Sequence, residues 1–140
     1  MKIATLAVAA TAFLHLKGPD GTHLYDDGKP VGIDLFSPGS PESAQVEERQ
    51  SARAVKRMTE NDGKLSLAPI DQRRTEAAED LAALTSGFQN IEHAGADGQP
   101  LSGRALFIAV YSDPTLGWIK EQVLKAVGDW SRFTQGSATS

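Results

Sequence analysis

The segment Asp113–Phe133 does most to limit how this 140-residue chain can fold. Ile119, Val123, Ala126, Val127, Trp130 and Phe133 recur at intervals of three and four, which predicts one amphipathic helix with a continuous apolar face. Asp113 is a good N-cap, and Pro114 suits the first helical position, where its missing N–H costs nothing. Trp130 falls on the apolar stripe and is expected in the core. Trp118 lies about 120° round the helix from it at 3.6 residues per turn. It is therefore either a second core residue or an anchor for a partner, a role in which exposed tryptophan is enriched. The remaining segments read as a scaffold around this helix.

That scaffold is predicted to be a single domain, 1–134, of the α+β class and mainly α. A small N-terminal antiparallel meander (12–37) should pack on a bundle of about four helices. Ala12–Lys17 alternates loosely up to the turn formers Gly18-Pro19-Asp20-Gly21. His23-Leu24-Tyr25 is a second short run, ending at Asp26-Asp27-Gly28-Lys29. In Pro30–Ser37, Val31, Ile33 and Leu35 share one face of a strand. Ser40 followed by Pro41 is a strong helix start, and the helix is placed at 41–58. Its acids come first and its bases last, complementing the macrodipole. Its apolar stripe is thin (Ala44, Ala52, Val55, Met58), as for a surface or bridging helix, and its charges read as intrahelical pairs.

Residues 59–68 read as a mobile linker with Asn61-Asp62-Gly63 at its tip, and 69–133 as the helical part. Within it, Pro69–Ser86 is predicted helical with the stripe Ala77, Leu81, Leu84 and Phe88, and Gly87 at its C-terminal cap. Ala78, Ala82 and Ala83 would allow a neighbouring helix to approach closely. Gly87–Leu101 is expected to be a loop. Ser102 should cap a short buried helix, Gly103–Tyr111, built on Leu106, Phe107, Val110 and Tyr111. Residues 135–140 read as a disordered tail.

The residue chemistry narrows function mainly by exclusion. With no cysteine there is no thiolate metal site or thiol nucleophile. A net charge of −4 with interspersed signs advertises neither nucleic-acid binding nor an anionic membrane surface. His15, His23 and His93 are far apart in sequence and lack metal-ligand spacing. No nucleophile elbow, phosphate loop or zinc-protease motif is present, so no enzyme, cofactor or metal is expected. Met1–Ala12 resembles a secretory leader ending Ala10-Thr11-Ala12. A dozen residues falls short of the usual 15–30 or so, which disfavours secretion.

Several motifs, in order, resemble a family of tail assembly chaperones from long-tailed phages and prophages. They are Thr11-Ala12-Phe13-Leu14-His15-Leu16 with Asp20-Gly21; Lys29-Pro30-Val31-Gly32-Ile33-Asp34-Leu35; Ser37-Pro38-Gly39-Ser40-Pro41-Glu42 opening a charged helix that ends Arg53-Ala54-Val55-Lys56-Arg57; Gly87-Phe88-Gln89-Asn90-Ile91 with Asp97-Gly98-Gln99-Pro100-Leu101; and Asp113–Val123 with Phe133 behind it. Phe88 stands where the family often has tryptophan, and Trp130 where it is usually polar or basic.

The resemblance implies a non-catalytic protein of the host cytoplasm. It would bind the helical tape-measure protein and help recruit major tail subunits, and would leave the finished virion. Homo-oligomerisation and a longer frameshifted form stay open. Trp118, Gln122, Met58 and Val55 are the candidate partner-binding residues. The alternative reading is a structural virion component, a connector or minor tail protein.

Overall fold

Alternating apolar residues put two strands together at the centre of the chain's first half. In the computed structural model, which describes residues 1–64 and 68–135, β1 (Thr11–His15) pairs antiparallel with a strand at Gly32–Phe36. Between them lies a small exposed hairpin, β2 (Tyr25–Asp26) with β3 (Lys29–Pro30), so the longer strand is β4. The helices are α1 (Pro41–Glu60), α2 (Ile70–Ala83), α3 (Gly103–Ser112) and α4 (Gly117–Val127), with β5 (Thr85–Gln89) between α2 and α3. Among the described residues the fold is α+β and mainly α, as the sequence predicts.

The sheet differs from the expected meander. Its order is β1-β4-β5, and the third strand comes from after α2. His23–Tyr25 does not supply a full strand, because Leu24 is held between Leu16 and Val31 by single bonds (Leu24 N–H to Leu16 O, Val31 N–H to Leu24 O, both 3.0 Å). The predicted helix 69–86 stops at Ala83, and Thr85–Gln89 turns into β5. Phe88 therefore belongs to a strand, not to a helical stripe, and Gly87 caps nothing. The polar short residues Thr85 and Ser86 suit a strand edge, and the free edge of β4 rewards that choice with ladder bonds.

One face of the sheet is apolar and buried: Ala12, Leu14, Leu16, Ile33 and Leu35. Against it pack α2, α3 and α4 through Ala78, Leu81, Ala82, Leu106, Val110, Ile119, Val123 and Ala126. The alanines of α2 do allow close approach; Ala78 is fully buried. On the other face Gly32 lets the Phe13 ring cross the sheet. A Cβ at Gly32 would lie 2.3 Å from both Phe13 Cζ and the Leu14 carbonyl.

The long helix predicted over Asp113–Phe133 is three pieces. Asp113 caps, through a 2.9 Å bond from the Thr115 N–H, a 3₁₀ turn at Pro114–Leu116. The α-helix α4 then ends at Val127, and a second 3₁₀ turn, Trp130–Phe133, is capped by Asp129. Gly128 and the Asp129 side chain, which accepts from the Ser131 N–H and hydroxyl, break the helix. The break redirects the last two aromatics. Phe133 is fully buried, whereas Trp130, expected in the core, is 55% exposed. Its ring edge rests beside Gly39.

Other boundaries shift slightly. α1 runs two residues beyond Met58, and Ser40 caps it through a 3.2 Å bond from the Ser43 N–H. Ser102 precedes α3 without a side-chain cap bond. Asn61-Asp62-Gly63 forms the predicted turn, with Asp62 and Gly63 at positive φ. Residues 65–67 of the linker and 136–140 of the tail lie outside the described residues.

Candidate partner-binding surfaces

The inner face of α1 is charged. Arg49, Arg53 and Arg57 follow at i, i+4 and i+8, so they share a face, which α1 turns toward α2. α2 answers with Glu76, Glu79 and Asp80. Asp80, buried, accepts from Arg53 Nη1 at 2.8 and 3.0 Å and from Gln50 Nε2 at 3.2 Å. Arg49 Nε stands 3.6 Å from Asp80 Oδ1, and that buried nitrogen makes no hydrogen bond among the described residues. Glu76 takes Arg57 Nη2 and, at 3.1 Å, Gln72 Nε2.

These contacts explain two proton affinities. The hydrogen bond to Asp80 holds Arg53 more firmly protonated than usual, against a smaller cost of burial. The hydrogen bond from Arg57 holds the Glu76 carboxyl below its ordinary value. The charges of α1 are thus mainly interhelical, correcting the intrahelical reading. The predicted apolar stripe is correspondingly on the wrong face: Ala44, Ala52, Val55 and Met58 are exposed, and α1 buries only Val46. The signal was present in the sequence. A row of three arginines four apart is self-repelling on an isolated helix and calls for an acidic partner row such as Glu76, Glu79 and Asp80.

Beneath this seam runs a groove of about 330 Å³. Arg53 and Arg57, with their partners Asp80 and Glu76, form one wall; Ala77, Leu81, Leu84, Leu124 and Val127 give it an apolar floor. Leu124 is 50% exposed there.

The four residues singled out from the sequence do not converge. Val55 and Met58 face solvent about 140–160° round α1 from Arg53. Trp118 is half-buried and packs against the core, lining a separate cavity of about 490 Å³ with Leu16, Val31 and Ile91. Gln122 uses its amide on the backbone of Lys17: Oε1 accepts from the Lys17 N–H at 2.9 Å and Nε2 donates to the Lys17 carbonyl at 2.7 Å. On α4, Leu124 and Gln122 project to opposite flanks.

His15 and His23, distant in sequence, stack at 4.2 Å with Tyr25 edge-on to His15. His93 approaches Asp113 at 3.9 Å. Among the described residues no three His, Asp or Glu side chains gather as a metal site, and no helix is long and apolar enough to cross a membrane. No protein-family model, curated protein or solved structure matches the chain.

Proposed function

We propose that this chain is a non-catalytic phage tail assembly chaperone of the host cytoplasm that binds the tape-measure protein and helps recruit major tail subunits. Two things support the reading: the ordered motif resemblance, and the groove between α1, α2 and α4. The groove carries the functional argument. Its apolar floor at Leu84, Leu124 and Val127 matches an amphipathic helix that presents an apolar row, while Arg53 and Arg57 in its wall are already paired with Asp80 and Glu76. A tape-measure protein, as a long helix with apolar stripes, is a ligand of that kind.

Co-expression with a tape-measure protein of a long-tailed phage tests this. The wild-type chain should form a complex and raise the soluble fraction of its partner. Leu124→Glu, at an exposed position, should leave the fold intact and lower complex yield about tenfold. Equal capture by wild type and Leu124→Glu would remove the groove from the account, and no complex at all would remove the chaperone reading. Retention in purified particles, read by mass spectrometry, would favour the structural virion component instead.

A further inference from the structure

β1 is an edge strand, and its register leaves a defined set of backbone groups facing away from the sheet. Leu16 N–H donates to Val31 O at 3.0 Å and Ser37 N–H to Ala10 O at 2.9 Å. In the antiparallel alternation, the even-numbered residues of β1 therefore exchange bonds with β4, and the odd-numbered ones point outward. At both ends, the C-terminal elements satisfy these outward groups. Ala9 N–H donates to Phe133 O at 2.7 Å, and the Lys17 N–H and carbonyl are both taken by the Gln122 amide. Gln122 thus does with a side chain what a neighbouring strand does with its backbone.

Between these two closures, Thr11, Phe13 and His15 have no partner for their outward N–H and C=O groups among the described residues. Phe13 and His15 line a cleft of about 730 Å³ between β1 and the end of α4. The opening is roughly five residues, about 17 Å, long at 3.3–3.4 Å per residue. Lys17, Lys125 and Arg132 line it against a single carboxylate, Asp129. That carboxylate is already committed to Ser131 and, at 3.8 Å, to Arg132. Lys17 enters no ion pair among the described residues, and Lys125 forms none within 4.0 Å, although its charge adds to the Ser131 hydrogen bonds in holding the Asp129 carboxyl below the ordinary value.

We propose that the free edge of β1 takes an extended acidic segment of a partner protein as an added strand. Its main chain would pair with Thr11–His15, and its carboxylates would meet Lys17 and Lys125. Such strand addition draws affinity from main-chain bonds and selectivity from the flanking side chains. A second copy of this chain is the wrong occupant, because its own β1 edge brings the same cations. The site is separate from the α1–α2–α4 groove and does not depend on the reading given to it.

The test uses the full chain, ¹⁵N-labelled, and a hexapeptide of alternating glutamate and valine blocked at both ends. The peptide should bind saturably and slow hydrogen exchange of the Thr11, Phe13 and His15 amides at least tenfold. The same peptide with lysine for glutamate should bind at least tenfold more weakly. His15→Pro removes an outward N–H at an edge position where proline is tolerated, and should weaken binding at least tenfold. Should that variant fail to fold, Lys17→Glu with Lys125→Glu carries the test. It should lose the glutamate peptide tenfold and gain the lysine peptide. The proposal is overturned by no saturable binding, by equal affinity for the two peptides, or by binding that leaves the three amides unprotected. Protection of those amides by protein concentration alone would also overturn it, in favour of self-pairing.

Discussion

The two helical contacts of α2 are made of opposite materials. Toward α3 and the sheet it presents Ala78, Leu81 and Ala82, and the surface closes as an apolar core. Toward α1 it presents Glu76, Glu79 and Asp80, and the surface closes as a seam of ion pairs with Val46 as the buried apolar residue of α1. Apolar burial is proportional to area and offers no charge for protons to titrate or for salt to screen. Partly exposed ion pairs are each worth about 0–1 kcal/mol and weaken as salt rises. The body of the domain should therefore hold together under conditions that release α1. Since Arg53 and Arg57 wall the groove over Leu124, the state of the seam also sets how open that groove is.

The largest effect is expected in the core. Phe133→Ala removes a fully buried ring and should cost roughly 3–5 kcal/mol in urea denaturation. Asp80→Ala should cost roughly 1–3 kcal/mol, because Arg53 and Gln50 lose their acceptor but retain some access to water. The loss should show first as faster amide exchange in α1. Replacing both partners, Arg53→Met with Asp80→Leu, sharpens the comparison. Apolar substitutes for a buried pair are often neutral or stabilising, so the double variant should lie within about 1 kcal/mol of wild type and keep only the salt dependence of the remaining Arg57–Glu76 pair.

Acid should separate the two regions without any mutation. Glu76 is held below its ordinary value of 4.5 by Arg57, so its contribution is complete above that value and disappears as pH falls through the lower folded one. Far-UV circular dichroism should record partial helix loss as pH falls below 4.5, before the core unfolds, and Glu76→Gln should abolish that early phase. A comparably small effect concerns a polar pair inside the core. Thr85 Oγ1 donates to Leu81 O at 2.7 Å, so the buried Tyr111 hydroxyl donates to Thr85 Oγ1, also at 2.7 Å. Tyr111→Phe should cost about 0.5–1.5 kcal/mol in the same denaturation experiment.

Periodicity and caps made much of this fold legible. Ser40-Pro41, Asp113-Pro114, the alternation in β1 and β4, and the alanines of α2 all point to the elements they form. What they could not convey was set by tertiary pairing. β5 is short and half-exposed, and its register exists because β4 has an open edge. The break after Val127 depends on an aspartate bonding its own backbone two residues on, against an unbroken apolar period. On α1 the apolar residues Val55 and Met58 lie on the solvent side, because the face that packs is cationic. Gln122 was visible as a polar residue on an apolar helix, but its clasp on Lys17 joins residues 105 apart in sequence.

Native-state amide exchange, followed residue by residue in low and in high salt, tests the difference between seam and core most directly. The amides of α1 should exchange through an opening less costly than global unfolding. That opening should become easier by about 1 kcal/mol or more as salt rises, while α3 and the sheet stay unchanged. Exchange of α1 only by global unfolding, with no response to salt, would contradict it.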